Sequence, residues 1–323
     1  MQGQKSPEPS AEPQVYVGVD VCKDWLDVHI HPSGGEVRLP NTNEGLRALG
    51  RRLRKLKVGR IVMEATGKFH RLAHRSLHAA GLPVAIVNPL RSRLFAEAVG
   101  QLAKTDRIDA RMLAIMGQML APEAAEPPAE ALHALQELLH ARAAAKKEHT
   151  ALSNRRGASC IAFLKAELAQ RLESLDGHIE RLEAEIQKRI AAEPGLARRY
   201  EILLSIPGIG PVAAMTLAIG MPELGHCSAK AATLLAGLAP LACDSGNKAG
   251  ERRIRGGRGY VRTGIYMAAV AASNFNPQLR QLYVRLAQAG KKAKVAFTAV
   301  MRKIVVLANS LLAENRLWTP VRP

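Results

Sequence analysis

The chain lacks the cysteine spacing and the long apolar runs that would place it in several common classes of protein. Its four cysteines stand far apart in the sequence and indicate neither a zinc knuckle nor a disulfide framework. They are Cys22, Cys160, Cys227 and Cys243. No uninterrupted apolar run reaches the ~20 residues that span a membrane, and the polar, proline-rich N-terminus is unlike a secretory signal. We therefore expect a cytoplasmic protein with reduced thiols and no membrane partner.

Acidic residues are scarce relative to basic ones. The chain has 46 Lys and Arg against 28 Asp and Glu, which gives a formal charge of +18 and an isoelectric point near 10.2. So large an excess favours a polyanionic ligand, and its spread along the chain favours nucleic acid over a membrane surface. Aromatic residues make up only 4% of the chain, which indicates contacts with a nucleic-acid backbone rather than stacking on bases.

The order of apolar runs and turn residues predicts a mixed α/β region followed by a mainly helical one. Three short strands, a helix, a strand, a helix, a strand and further helices are expected up to residue 120, with Asn43 capping the first helix. This order is typical of a ribonuclease-H-like domain. The predicted organisation is a disordered tail at 1–14, the α/β domain at 15–120, a linker at 121–129, a long helical segment at 130–195 and a helical C-terminal domain at 196–323.

Within the long helical segment, leucines and isoleucines recur every three or four residues from Leu164 to Ile190. This stripe predicts an amphipathic helix that could form a coiled coil or an antiparallel helical hairpin. A dimer-forming arm and a helix packed within one bundle are equally compatible with the stripe.

The stretch from Ile206 to Pro211, which lies between two apolar segments, has the form of a helix-hairpin-helix turn. In such a turn, glycines like Gly208 and Gly210 let backbone N–H groups reach a DNA phosphate at a helix N-terminus. A turn of this shape can also serve only as a packing corner, and the sequence does not decide between the two roles.

Four carboxylates fall where a metal-dependent nuclease of this fold would carry them. Asp20 ends the first predicted strand, Glu64 ends the fourth, and Asp106 and Asp109 lie three apart at the start of a late helix. Each alone has an ordinary explanation, such as a turn aspartate or a helix N-terminal acid next to the capping Thr105. Together they predict a site for a pair of Mg²⁺ ions, with Mn²⁺ as a substitute, at a phosphate.

A second group lies between residues 245 and 262, where a serine is followed by glycines and basic residues. Ser245 is followed by Gly246, and the basic residues are Lys248, Arg252, Arg253, Arg255, Arg258 and Arg262. A serine near so many guanidinium groups could attack a phosphate whose developing charge the arginines stabilise. Because no histidine or lysine base is fixed next to Ser245, spacing alone favours a turn serine in a solvated loop that contacts nucleic acid.

Several short motifs occur in a specific order from Val15 to about residue 310. In the N-terminal half they are G-V-D-V at 18–21, M-E-A-T-G at 63–67, N-P at 88–89 and K-T-D-R-I-D-A at 104–110. In the C-terminal half they are I-P-G-I-G at 206–210, A-G-L-A-P at 236–240, S-G at 245–246 and a glycine- and arginine-rich run into R-T-G-I-Y-M-A-A. Their combination resembles the DEDD-type, RuvC-like insertion-sequence transposases related to the pilin-gene invertase.

The resemblance implies a DNA recombinase with a split active site. Asp20, Glu64, Asp106 and Asp109 would bind Mg²⁺ in a RuvC-like domain, and Ser245 on the C-terminal domain would form a covalent phosphoserine link to DNA. The metal site would activate Ser245, which answers the absence of a neighbouring base. The family also implies a structured noncoding bridge RNA that pairs with donor and target DNA, a homodimer or homotetramer, and a place at the bacterial nucleoid. Asp244, next to the serine, has no assigned role.

The sequence is also compatible with two other functions. A Holliday-junction-type endonuclease would use the four acids with metal-activated water, and Ser245 would then be structural. A non-catalytic nucleic-acid-binding protein would carry a decayed nuclease fold, although the intact set of four acids argues against decay.

Overall fold

The computed structural model describes residues 14–246 and 250–320, which divide into two compact units. The N-terminal unit ends at Pro128, and the C-terminal unit begins at Ala129. The predicted disordered tail lies outside the described residues except for Gln14, and so does Lys248.

The N-terminal unit is built on one five-stranded sheet. Its strands are β1 (Val15–Val21), β2 (Trp25–His31), β3 (Gly35–Pro40), β4 (Val58–Glu64) and β5 (Val84–Val87). Its helices are α1 (Asn43–Leu53), α2 (His70–Ala79), α3 (Pro89–Ala98) and α4 (Asp106–Leu120). The strand order is β3-β2-β1-β4-β5, in which β1, β4 and β5 run parallel and β2 is antiparallel to both of its neighbours. The prediction of a mixed α/β N-terminal region is confirmed.

Apolar spacing explains how the helices cover this sheet. In α1, Leu46, Leu49 and Leu53 recur every three or four residues, and all three are buried in the core beside the strands. The cap of α1 is Thr42, whose side chain accepts a hydrogen bond from the Gly45 N–H at 3.3 Å. The expectation that Asn43 caps this helix is therefore wrong by one residue.

The C-terminal unit is mostly helical. Its helices are α5 (Glu130–Ala158), α6 (Ala162–Ala192), α7 (Pro194–Leu204), α8 (Pro211–Gly220), α9 (Ala229–Leu235), α10 (Gly259–Gly264), α11 (Tyr266–Phe275), α12 (Pro277–Gln288) and α13 (Ala293–Ala313). Two short strands, β6 (Pro240–Leu241) and β7 (Arg253–Ile254), pair as an antiparallel ribbon. The prediction of a largely helical C-terminal region is confirmed.

The helices α5 and α6 form an antiparallel hairpin with a break at residues 159–161. Arg142 pairs with Glu183 at 2.6 Å, and His149 pairs with Asp176 at 3.1 Å, so the partners run in opposite directions along the two helices. The leucine and isoleucine stripe of α6 supplies the residues buried in this hairpin. They include Leu168, Leu172, Ile179, Ile186 and Ile190. A hairpin is one of the forms that the stripe left open.

The helix α13 is long and apolar enough to cross a membrane, judged by length and composition only. Its Val300, Ile304 and Val305 are buried in the main core of the C-terminal unit, together with residues of α7, α8 and α11. A helix that is apolar on most of its surface is typical of the centre of a helical core. We therefore interpret α13 as a core helix.

Candidate active site

The helix α4 lies directly against β1 because residue 18 is glycine. A Cβ atom on Gly18 would stand 1.8 Å from the carbonyl oxygen of Ala110 and 2.5 Å from the nitrogen of Ala114. Only a residue without a side chain permits so close an approach of helix and strand. The packing holds the first turn of α4 near the C-terminal end of β1.

Two of the predicted acids lie side by side at the C-terminal ends of neighbouring parallel strands, since Asp20 is the next-to-last residue of β1 and Glu64 is the last residue of β4. Val19 of β1 pairs with Met63 of β4 in the parallel ladder, so Asp20 and Glu64 are the next residues on neighbouring strands. The Ser92 hydroxyl on α3 donates a hydrogen bond to Glu64 at 2.5 Å. The N-P motif begins α3, because the preceding asparagine caps the helix and the proline takes its first position.

Burial and the negative charges of neighbouring carboxylates raise the pKa values of Asp20 and Asp109. Burial, together with the negative charges of Asp109, Asp106 and Glu64, raises the pKa of Asp20 to about 6. Burial also raises the pKa of Asp109, against the opposing charge of Lys104. Carboxylates that share a site repel one another when ionised, and a divalent cation relieves that repulsion. The structure thus brings the four predicted acids into one electrostatic neighbourhood.

A fifth carboxylate and an arginine border these acids. Asp27 lies opposite Asp20 in the β1–β2 register and opposite Arg38 in the β2–β3 register. Arg38 donates two hydrogen bonds to Asp27, at 2.9 and 2.8 Å, and one to Asp106 at 3.1 Å. Sequence reasoning missed Asp27, Arg38 and Ser92, since their contacts depend on register and helix packing. The one available signal was an acid inside the apolar strand β2.

Within residues 14–246 and 250–320, no three acidic, histidine or cysteine side chains form a group that could hold a metal ion. The acids are neighbours, but their oxygen atoms are not arranged to coordinate a metal ion together. Two of them are engaged elsewhere, since Asp106 accepts a hydrogen bond from Arg38 and Glu64 accepts one from Ser92. The chemistry of the set still fits a hard divalent cation, because Mg²⁺ and Mn²⁺ prefer carboxylate oxygens.

Ser245 lies in the C-terminal unit, on an exposed segment that we call the serine arm, residues 240–254, of which 247–249 lie outside the described part of the chain. The arm is closed at its base by the pairing of β6 with β7. Asp244 accepts hydrogen bonds from Arg252 at 2.5 Å and from the Gly250 N–H at 2.9 Å. These bonds hold the pKa of Asp244 below its usual range. Asp244 therefore ties the two sides of the arm together next to the serine.

Two of the predicted phosphate-binding arginines have partners within the protein. Arg258 donates to the Glu223 carboxylate at 2.7 and 2.5 Å, and also to the carbonyl oxygen of Gly220. Arg262 donates to two backbone carbonyl oxygens, one of which belongs to Gly256 at 2.9 Å. Both side chains thereby brace the backbone next to the serine arm.

The other three arginines of the predicted phosphate-binding set lie on the surface. Arg252 is paired with Asp244, and Arg253, whose side chain is 81% exposed, is paired with Glu251 at 3.0 Å. Arg255 is exposed on the segment that follows β7. Among the predicted phosphate-binding arginines, all of which lie in the described part of the chain, these three have guanidinium groups that a phosphate could reach from solvent.

The two glycines predicted to bind phosphate in the turn between α7 and α8 have different surroundings. Gly208 has a φ of +97°, and a Cβ atom there would stand 2.4 Å from the Cα atom of Ala272 on α11. Gly210 precedes α8 as its N-terminal cap, and a Cβ atom there would meet nothing within 4 Å. Gly208 is thus required for packing, whereas Gly210 is open at a helix N-terminus.

Two models of transposase families match the chain. A DEDD transposase model of the IS110 type, described as "Transposase", matches residues 17–159, and a model described as "Transposase IS116/IS110/IS902 family" matches residues 200–284. The first range contains the four acids, and the second contains Ser245 and the turn between α7 and α8.

Similar proteins agree with the two models. The pilin gene-inverting proteins of Moraxella bovis and Moraxella lacunata are each 27% identical over 314 residues, which cover 94% of this chain and 97% of each relative. An uncharacterized protein of insertion element IS116 from Streptomyces clavuligerus is 30% identical over 162 residues, or 50% of this chain and 40% of that protein. The two family models and these relatives identify a DNA transposase or recombinase. The chain belongs to the IS110-type family of transposases.

Proposed function

We propose that this transposase cuts and rejoins DNA through a phosphoserine intermediate at Ser245, with Mg²⁺ at its acidic site. The observation that carries the proposal is the strand register, which places Asp20 and Glu64 side by side at the ends of β1 and β4. The packing of α4 on Gly18 brings Asp106 and Asp109 close to them, and the negative charges of all three acids help to raise the pKa of Asp20. A ribonuclease-H-like, RuvC-like fold for the N-terminal unit is supported by the sheet order and by acids at the ends of β1 and β4 and on α4.

The four acids would hold one Mg²⁺ ion or a pair, and Mn²⁺ would serve as a substitute because it takes the same oxygen ligands. Bound there, a divalent cation would neutralise charge on the scissile phosphate and favour release of the serine proton. The positive charge of the ion would therefore explain how Ser245 can lose its proton although no histidine or lysine base lies next to it in the sequence.

In the cutting step, the Ser245 Oγ bonds to the phosphorus and the bond from phosphorus to one DNA oxygen breaks. The serine hydroxyl gives up its proton, and the departing DNA oxygen leaves as a hydroxyl group. In rejoining, the hydroxyl of another strand attacks the phosphorus of the phosphoserine and gives up its proton. The bond between phosphorus and the Ser245 Oγ breaks, the serine leaves as a hydroxyl group, and a phosphodiester is restored, so no external energy source is needed. The exposure of the serine arm and of Arg252, Arg253 and Arg255 on or next to it supports this assignment.

The partners we propose are donor DNA, target DNA and a structured guide RNA, bound by a homodimer or homotetramer. The charge of +18 and the low aromatic content support contacts with phosphates rather than with bases. A helix-hairpin-helix role for the turn before α8 is supported by the open position of Gly210, through which the helix N-terminus could reach a phosphate.

Recombination of a plasmid that carries the element ends and the target, with the proposed guide RNA supplied, tests the acidic site. Glu64→Gln and Asp20→Asn should each lower recombination by about 1,000-fold, because each removes a charge that holds the ion. Glu97→Gln is the matched control, since Glu97 pairs on the surface with Arg93 of the same helix. Unchanged recombination in the Asp20 and Glu64 variants would end the proposal for the metal site.

A further inference from the structure

Arg38 joins two carboxylates by unequal contacts. It makes two hydrogen bonds to Asp27, at 2.9 and 2.8 Å, but only one to Asp106, at 3.1 Å. The Asp27 side chain is 11% exposed, whereas that of Asp106 is 64% exposed. A bidentate contact with a mostly buried carboxylate is held more firmly than a single contact with an exposed one, although the Arg38 side chain is itself 52% exposed. Arg38 is therefore anchored at Asp27 and loosely bound at Asp106.

The fold makes this arrangement a fixed feature of the acidic site. Asp27 and Arg38 face each other across neighbouring strands β2 and β3, so the sheet register holds the pair together. Asp106 comes from the first turn of α4, where the Thr105 side chain caps the helix. Because a guanidinium group stays protonated at any ordinary pH, a permanent positive charge borders the acids on this side.

The contact with Asp106 conflicts with metal binding. The Oδ2 atom of Asp106 that accepts the hydrogen bond from Arg38 is engaged, and a fixed cation there repels an incoming divalent ion.

We propose that Arg38 is an internal counter-ion that occupies Asp106 in the metal-free protein and must release it when a divalent ion binds. The inference rests on the proposed metal site and adds the residue that sets its affinity. Asp27 retains the guanidinium group during the exchange, so that only Asp106 has to change partner.

Titration of the full chain with Mn²⁺, followed by the paramagnetic signal of the free ion, tests this inference. Arg38→Gln should bind Mn²⁺ about fivefold more tightly than the wild type. This is the change in the dissociation constant that corresponds to the loss of one exposed ion pair. Arg107→Gln is the matched control, because Arg107 lies next to Asp106 in the sequence but pairs with Glu36 at 2.7 Å. Its affinity should stay within about twofold of the wild type.

A double variant separates competition from the gain of a free carboxylate. Removing Arg38 alone leaves Asp27 without its partner and able to bind the ion. Asp27→Asn combined with Arg38→Gln keeps the net charge and places two amides opposite each other across the strands. Its affinity should still exceed that of the wild type by about threefold. Wild-type affinity in the double variant, or weaker binding in Arg38→Gln, would overturn the inference.

An Asp20→Asn variant in the same titration distinguishes the failure of this inference from failure of the proposed function. If the wild type binds no Mn²⁺, or if Asp20→Asn binds it equally well, the metal site fails and the inference with it. If Asp20→Asn loses binding while Arg38→Gln binds like the wild type, only the inference fails. Thermal unfolding in the presence of a chelator establishes that each variant is folded.

Discussion

Among single residues, Glu223 and Arg258 connect the segment after α8 with the start of α10. The two terminal nitrogens of Arg258 each donate a hydrogen bond to one oxygen of the Glu223 carboxylate. Arg258 lies four residues after the serine arm ends at residue 254. Burial is the largest single influence on Glu223 and raises its pKa, but the hydrogen bonds from Arg258, a backbone hydrogen bond and the positive charges of Arg258 and Arg199 together hold the pKa below its usual range. A carboxyl group whose pKa is depressed by folding stabilises the folded state above its unfolded pKa.

Glu223→Gln should lower the free energy of unfolding at pH 7 by about 1–2 kcal/mol, a value reduced for the partial exposure of the pair. The stabilisation is present above the ordinary pKa of 4.5 and is lost as the pH falls through the depressed pKa of the folded state. The difference between variant and wild type should therefore shrink at pH values below 4.5. Urea unfolding at several pH values measures it.

Glu201→Gln is the control for this experiment, because its carboxylate pairs with Arg198 on the surface of α7. Its effect should be below about 0.5 kcal/mol. Equal losses in the two variants, or a loss in Glu223→Gln that does not depend on pH, would contradict the role given to the Glu223–Arg258 pair.

Among the elements, the placement of α4 on β1 assembles the acidic site. The strand brings Asp20, the helix brings Asp106 and Asp109, and the close contact at Gly18 fixes the distance between strand and helix. The site therefore depends on a residue that carries no functional group.

Gly18→Ala should lower the free energy of unfolding by about 3 kcal/mol, because its methyl group would overlap the backbone of α4. Gly50→Ala is the matched control in α1, where a Cβ atom would meet only the Ala80 side chain at 3.6 Å. That change should leave stability unchanged or raise it by up to about 1 kcal/mol. Urea unfolding of both variants tests the claim, and a Gly18→Ala protein as stable as the wild type would refute it.

Much of the element order could be predicted from the sequence. Apolar runs that end at Asp20 and Glu64 indicate strand ends, because the side chains after a buried strand emerge at the edge of the sheet. The mixed α/β character of the first 120 residues and the helical character of the rest follow from the same periodicities.

The contacts within the acidic site could not be predicted in the same way. The pairing of Arg38 with Asp27 depends on which residues face each other across β2 and β3, and periodicity alone does not fix that register. Charge counting also cannot separate Arg258, which has an internal partner, from Arg255, which lies on the surface. Both belong to the same basic run in the sequence.

For the whole molecule, the excess of positive charge predicts binding to DNA that weakens steeply with salt. Each phosphate contact contributes about 0.9 to the slope of the logarithm of the binding constant against the logarithm of salt concentration. The surface arginines near the proposed nucleophile are expected to supply part of this slope.

Arg253→Gln combined with Arg255→Gln should reduce that slope by about 2, because two phosphate contacts are lost. Arg171→Gln combined with Arg189→Gln removes the same charge from α6 and should reduce the slope by less than about 0.5. Fluorescence anisotropy of labelled DNA at several salt concentrations measures both slopes. Equal reductions in the two double variants would contradict a phosphate-binding surface centred on the serine arm.

The central claim, a covalent link between Ser245 and DNA, is tested most directly by trapping that link. The substrate is a nicked DNA from which the cut strand diffuses away, supplied with Mg²⁺ and the proposed guide RNA. The wild type should form an adduct that survives denaturing electrophoresis, with the phosphate on the peptide that contains Ser245. Ser245→Ala should bind the DNA equally well and form no adduct. An adduct that persists in Ser245→Ala, or metal-dependent cleavage that needs no serine, would contradict the account.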